Sequence, residues 1–363
     1  MLSDDSLQNI QEYIGGYYPL CLVFPYLDVW YYNTIEYKDL TIHHNPSRIK
    51  YINIHRADVA SDSFINLLKN VITLNCSCCK TLSVVPKTKS LQHLNCSYIK
   101  YKTNLLPQHM ENIKTLICKF NNINSIPSSL KELEFLECQY NNLINITTKM
   151  PNLKYLNCYN NFIIELPKSL PNLLHLDCSN NNVEYLPQSL SFINFFNCYN
   201  NNIMSLPNGM SNLCYLDCSD NFISSLPNGM VNLINLICSN NNLIELPDDL
   251  HNIVTISCVN NTISSLPNGM ESLITLNCSS NIINELPTGM ISLVELYCGS
   301  NRLIYLPDDL YNIKILDCSA NIIETLPQNM NHLGFLSYPS NRIISLPEYL
   351  DEIDYLEVFS DSY

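Results

Sequence analysis

Charge is scarce in this chain of 363 residues: only 14% are Asp, Glu, Lys or Arg, against 46% hydrophobic. What charge there is runs acidic, with 33 carboxylates against 19 Lys and Arg for a formal net charge of −14. That balance argues against nucleic acid or an anionic membrane surface as the principal partner. No apolar run approaches the roughly 20 residues of a membrane span. The start, MLSDDSLQNIQEY, has neither the basic residues nor the apolar segment of a secretion signal. These absences predict a cytoplasmic protein. Chemical motifs are missing as well. The eight histidines are scattered, only His43 and His44 being adjacent, and no Ser-His-acid set, H-E-x-x-H, phosphate loop or dinucleotide fingerprint occurs. Neither an enzyme, a cofactor nor a metal is expected.

What is present is a repeat. The stretch Leu213 to Met230, LCYLDCSDNFISSLPNGM, recurs every twenty residues from Ile113 onward, with Leu or Ile in its first position at 133, 153, 173 and so on to 353. As a template the unit reads L-x-x-L-x-C-x-x-N-x-I-x-x-L-P-x-x-M-x-x. Its fourth and sixth positions, Leu216 and Cys218, alternate with polar or variable neighbours, the period of two of a short strand with one buried face. Asn221, at the ninth position, is placed to hydrogen-bond the backbone of its own turn and of the next rung, and the equivalent Asn from 141 to 341 form a ladder. Pro227 removes a backbone donor and disfavours helix before it, so the return path is expected to be extended or a single 3-10 turn. One such unit cannot bury its apolar side, but a stack of them can.

Of seventeen cysteines, thirteen share the sixth position, from Cys76 to Cys318. Adjacent rungs would hold their α-carbons about 4.8 Å apart with parallel side chains, whereas a disulfide brings its β-carbons to about 3.8 Å. A ladder of free, buried thiols is the expectation, and a reducing compartment goes with it. Cys76, Cys78 and Cys79 lie close enough in sequence for a metal, but no second ligand pair accompanies them.

The pattern resembles the leucine-rich repeat family, in which L-x-x-L-x-L-x-x-N-x-L marks a strand on the concave side of a solenoid. Here Cys stands at the second Leu of L-x-L, and the L-P segment with its short period is similar to thin bacterial-type repeats. The resemblance covers residues 71 to 363 and extends weakly to Ile49-x-x-Ile52-x-Ile54. It implies an α/β-class solenoid of about sixteen repeats over residues 49–363, with a parallel concave sheet and an extended or 3-10 convex side. It implies, further, a protein-binding role, although the scaffold alone specifies no partner. Some bacterial effectors with such repeats end in a ubiquitin ligase domain, for which there is no room before Tyr363. The abundance of Asn, Ile and Tyr also resembles repeat proteins of large DNA viruses that infect amoebae, which would make the partner a host protein and the compartment the host cytoplasm.

Residues 1–48 do not follow the repeat. Ser3, Asp4 and Asp5 are placed to cap a helix through Leu7, Ile10 and Ile14, ended by Gly15-Gly16, and a second apolar stretch leads to Trp30. A small helical cap over the first rung is the simplest reading. The same residues resemble an F-box, the helical module that docks a substrate receptor onto a cullin ubiquitin ligase. Leu2, Leu7, Ile10, Ile14, Leu22 and Trp30 carry the match, while Ser3 in place of Pro and the interruption at Pro25 depart from it. This resemblance implies a ligase adaptor bound through residues 1–35. Residues 49 to 112 hold irregular rungs: Ile49 to Val71 and Leu91 to Ile113 each span twenty-two residues, and Cys79 and Ile99 take the Asn position. Looser turns are expected there.

Specificity must come from the variable positions. The third, fifth and seventh are predicted to face the concave surface, where the third carries Phe135, Tyr155, His175, Phe195 and Tyr215. Tyr159 and Tyr199 come from the seventh position, Phe120 and Tyr140 from the eighth, and the fifth adds Glu137, Asp177, Asp217 and Asp317 with Lys119 as a lone basic residue nearby. Exposed aromatics supply rigid contact area. The expected ligand is a protein segment offering basic and apolar side chains.

Overall fold

The computed structural model describes residues 35–36, 50–55, 69–79, 85, 88–99, 106–146, 149–353 and 356–360. The helical cap and the F-box-like segment expected within residues 1–48 lie outside these, apart from Ile35–Glu36. That dipeptide is a strand, so the sheet begins before residue 49. The chain divides into two compact units, Met1–Asn142 and Leu143–Tyr363.

Among its described residues the first unit holds six parallel strands: β1 (Ile35–Glu36), β2 (Tyr51–Asn53), β3 (Thr73–Asn75), β4 (His93–Asn95), β5 (Thr115–Ile117) and β6 (Phe135–Glu137). Each pairs with the next in chain order, with Thr73 opposite His93, His93 opposite Thr115 and Thr115 opposite Phe135. The second unit continues the pattern through β7 (Tyr155–Asn157), β8 (His175–Asp177), β9 (Phe195–Asn197), β10 (Tyr215–Asp217), β11 (Asn235–Ile237) and β12 (Thr255–Ser257). It ends with β13 (Thr275–Asn277), β14 (Glu295–Tyr297), β15 (Ile315–Asp317), β16 (Phe335–Ser337) and β17 (Glu357–Phe359). From β7 to β16 the register advances by one repeat per strand, so third-position residues stand side by side: Tyr155, His175, Phe195, Tyr215.

The core is made as the repeat demands. Leu213, Leu216, Cys218, Ile223 and Met230 are all fully buried. Each large aliphatic contributes on the order of 1.5–3 kcal/mol through burial. All thirteen sixth-position cysteines are buried. Burial drives the thiols up in twelve of them, Cys278 to about 12, so they pack as neutral, small apolar groups.

The Asn ladder supplies the polar half of each rung. Asn221 donates to the carbonyls of Cys198 (3.0 Å), Cys218 (3.1 Å) and Ser219 (3.0 Å), and its oxygen accepts the Ile203 N–H (3.0 Å). It therefore ties its own turn to the preceding rung and not, as the sequence predicts, to the next one. Asn241, Asn261, Asn281 and Asn321 repeat the set. Just before it the chain turns left-handed: every eighth position from Cys78 to Ser340 has positive φ, between 51° and 61°. Asn160, Asn180, Asn200, Asp220, Asn240 and Asn260 suit that region, whereas Tyr98, Phe120 and Tyr140 are bulky residues held in it.

The return path is extended, as Pro dictates, and is stitched to the rung before it by bonds such as Phe222 N–H to Ile203 O (2.9 Å) and Asn242 N–H to Ile223 O (2.9 Å). Among the described residues the one helical segment is the 3-10 turn Glu348–Glu352. It precedes a shift in register. Val358, two residues later than the Leu356 that the period predicts, stands opposite Leu336. All three residues of β17 are exposed.

Candidate binding face

The variable strand positions do line the sheet face opposite the core, but that face is tighter than the sequence suggests. In the second unit, exact register at one repeat per strand brings third-position rings into contact. Tyr155 stacks on His175 (ring centroids 4.3 Å apart), His175 on Phe195 (4.2 Å) and Phe195 on Tyr215 (4.6 Å), all within 9° of parallel. Rings stacked this closely cover one another. Tyr155 is only 3% exposed and Tyr215 6%, while His175 and Phe195 stay half-buried. The expectation of broadly exposed aromatics is corrected accordingly: edges, not faces, meet solvent. With a ring on either side, His175 is pushed by burial to about 3 and is neutral across the physiological range.

Beside the stack runs Asp177, Asn197, Asp217, one residue per strand at the fifth position. Each caps its own turn: Ser179 donates its N–H (3.0 Å) and its hydroxyl (2.6 Å) to Asp177, Tyr199 N–H reaches Asn197 (3.0 Å), and Ser219 N–H reaches Asp217 (3.0 Å). Burial raises both acids, Asp177 to about 6, outweighing the Ser179 bonds that pull it down; the charge of Asp217 adds to the rise. A cationic group arriving here would offset that rise. At the seventh position Tyr159 is half-buried and Tyr199 is 37% exposed, the most open aromatic of the set in this unit. Tyr155, His175, Phe195, Tyr215, Asp177 and Asp217 are thus brought together, with Tyr159 and Tyr199 along one border.

The three candidates in the first unit fall in two columns. Phe135, buried, ends the third-position row His93, Thr115, Phe135, in which His93 bonds the Thr115 hydroxyl (3.0 Å). Phe120 and Tyr140 belong instead to a separate stack at the left-handed bend: Tyr98 on Phe120 at 4.5 Å and Phe120 on Tyr140 at 4.1 Å. Tyr98, the exposed start of this stack, was missed in the sequence because the two-residue insertion after it hides the period; aligning strands instead of counting twenties would have found it. Lys119 is not a lone cation. Its ammonium sits 2.9 Å from Glu137, with both side chains nearly buried. Among the described residues no three His, Cys, Asp or Glu lie together as metal ligands, and no helix is long and apolar enough to cross a membrane.

No protein-family model matches this chain, and no curated protein does. Solved structures match in fold. A leucine-rich repeat protein of Leptospira interrogans superposes with a TM-score of 0.65 at 22% identity, covering 89% of this chain and 99% of its own. YopM, a leucine-rich effector protein of Yersinia pestis, matches at 0.50 and 24%, over 73% and 88%. The plant peptide hormone receptor RGFR1, solved in complex with RGF2, matches at 0.57 and 21%, over 85% and 65%.

Proposed function

Starting from a chain that has the leucine-rich repeat fold, with rungs of about twenty residues, we propose that it is a protein-binding module whose concave strand face takes an extended segment carrying basic and apolar side chains. The observation that carries this reading is the unbroken row Tyr155, His175, Phe195, Tyr215 flanked by Asp177 and Asp217. Ring edges and the half-buried Phe195 offer an apolar rail, already ordered and so bound at little entropic cost. The two acids, whose charged forms are disfavoured by burial, gain most from a Lys or Arg placed beside them. Tyr199, with Tyr159 along the same border, supplies further contact area. One structure of the same fold is that of a peptide hormone receptor in complex with RGF2, which lends support to a peptide-like ligand. A ladder of thirteen buried cysteines fits a reducing compartment, hence the cytoplasm.

The test is to compare proteins retained from a lysate by the native chain, by Phe195→Ala/Tyr199→Ala, and by Asp177→Asn/Asp217→Asn. Partners lost with both pairs of changes support the reading; an identical set from all three would sink it. Retention of the small ligase adaptor, abolished by deleting residues 1–35, would identify the F-box-type receptor instead. Thioester formation with ubiquitin would contradict a purely binding role.

A further inference from the structure

Three Asn-Gly pairs lie on the return paths of the second unit: Asn208-Gly209, Asn228-Gly229 and Asn268-Gly269. All three glycines are left-handed, at φ 80°, 91° and 78°, a region that Gly enters without the Cβ penalty. Around Gly209 and Gly229 a Cβ would meet nothing within 4 Å, and around Gly269 it would meet only the His251 ring, from 3.3 Å. The Cβ side of Gly209 and Gly229 is therefore open, and that of Gly269 is approached only by the His251 ring. Such a pair can react without a catalyst. The Gly nitrogen attacks the Asn side-chain carbonyl carbon, an N–C bond forms, the C–NH2 bond breaks, and nitrogen leaves as ammonia after proton transfer. Water then opens the cyclic imide to aspartate or isoaspartate. Attack needs the Gly N–H to give up its proton and the turn to rotate.

The three turns differ in one respect. Gly229 donates its N–H to the Asp249 carboxylate of the next rung. The positions equivalent to Asp249 beside Gly209 and Gly269 are Gly229 and Gly289, which have no side chain. Exposure follows: Gly209 and Gly269 are exposed, Gly229 half-buried. The same cap recurs at Gly289, whose N–H reaches Asp309 at 2.6 Å, but there the preceding residue is Thr288 and no amide is at risk.

We propose that Asn208 and Asn268 are spontaneous modification sites of this protein and that Asp249 shields Asn228 from the same reaction. The bond to a carboxylate must break before attack, and the nearby negative charge opposes loss of the amide proton. Together these slow Asn228 by about tenfold or more. Each conversion at the other two adds a negative charge to an outer turn, and isoaspartate lengthens the backbone just before Met210 or Met270, both 1% exposed core residues.

The experiment is timed peptide mass mapping of the full-length protein, held folded at mildly alkaline pH, alongside the same protein in concentrated urea. Asn208 and Asn268 should convert about tenfold faster than Asn228 in the folded protein, and the three rates should converge in urea, where only local sequence matters. In Asp249→Ala, Asn228 should rise to the rate of Asn208 while the other two stay as they were. Equal rates in the native fold, a difference that persists in urea, or an Asn228 that remains slow in a folded Asp249→Ala would each overturn the proposal.

Discussion

The rungs of β3 and β4 and those of β9 and β10 share a backbone but not a turn chemistry. In the latter, Asn201 and Asn221 fill the ninth position with three donor contacts each and an accepted N–H. In the former the position is held by Cys79, whose thiol reaches Ile54 O, and by Ile99, whose own N–H is taken by Asn121 of the following rung. Yet Cys78 and Tyr98 are as left-handed as Asn200 and Asp220. The bend is thus imposed by the ladder of backbone bonds and by the buried aliphatic positions, and Asn stabilises a conformation it does not have to create. The second lesson concerns the left-handed position itself. From Asn160 to Asn260 in the second unit it carries Asn or Asp, which favour the region, as in the Asn200 to Asn180 side-chain bond (2.8 Å), before Ser and Ala take over from Ser280; in the first unit it carries three aromatics whose stacking offsets the strain.

That contrast can be broken at Asn221. Asn221→Ala leaves the Ile203 N–H buried without a partner and takes one of two Asn donors from each of the Cys198 and Cys218 carbonyls, which keep Asn201 and Asn241; at about 1–3 kcal/mol for the orphaned N–H and about 0.5–1.5 kcal/mol for each bond lost, the expected cost is about 4 kcal/mol. Urea denaturation should show the loss, and Ile99→Ala, which removes no such bond, should cost less, about 3 kcal/mol. If the two losses came in the opposite order, the ladder would be secondary to packing.

The next effect is in pH. Asp177 is raised in the folded protein, so the fold holds its proton better than the unfolded chain, and this group's contribution falls as pH rises from about 4 to 6. His175 is lowered, so the unfolded chain holds that proton better, and its contribution rises with pH from about 3 to 6.5. The two slopes oppose each other in the native protein. Asp177→Asn should leave stability climbing with pH over this window, by up to about 3 kcal/mol, and His175→Phe should leave it falling. Parallel profiles from the two variants would show that the groups do not titrate as their burial implies.

Within the first unit, Lys119→Ala strands Glu137 in a nearly closed site, with an expected loss of about 2–3 kcal/mol. Lys119→Met with Glu137→Leu should recover most of it in the same thermal melts. The smallest change expected is a gain. Ala320 is left-handed at φ 51°, and Ala320→Gly relieves that strain, raising stability by about 0.5–1 kcal/mol. Phe120→Gly should gain nothing, because the ring contacts with Tyr98 and Tyr140 are lost along with the strain.

Much of this was legible in the sequence. Leu213, Leu216, Cys218, Asn221 and Pro227 each have a role that follows from spacing and residue type, and buried thiols, the Asn ladder and the extended return path are all found. The binding face was only half legible. That Tyr155, His175, Phe195 and Tyr215 share a column follows from counting; that they bury one another depends on ring centroids little more than 4 Å apart, which no one-dimensional pattern reports. The Lys119 to Glu137 pair was hidden because eighteen residues separate them and neither lies at a conserved repeat position. Val358 replaced Leu356 opposite Leu336 because the last return path runs through the 3-10 turn Glu348–Glu352 instead of the usual extended course.

By itself, the twenty-residue period determined a stack of parallel strands with thiols and aliphatic groups inside, because no other arrangement buries those positions in every unit at once. Tertiary structure decided what those strands display. How much of a ring remains exposed, which acid is raised by burial and which glycine amide is capped all depend on the neighbouring rung, whose side chain at the same position is set twenty residues away in the chain and only about 5 Å away in space.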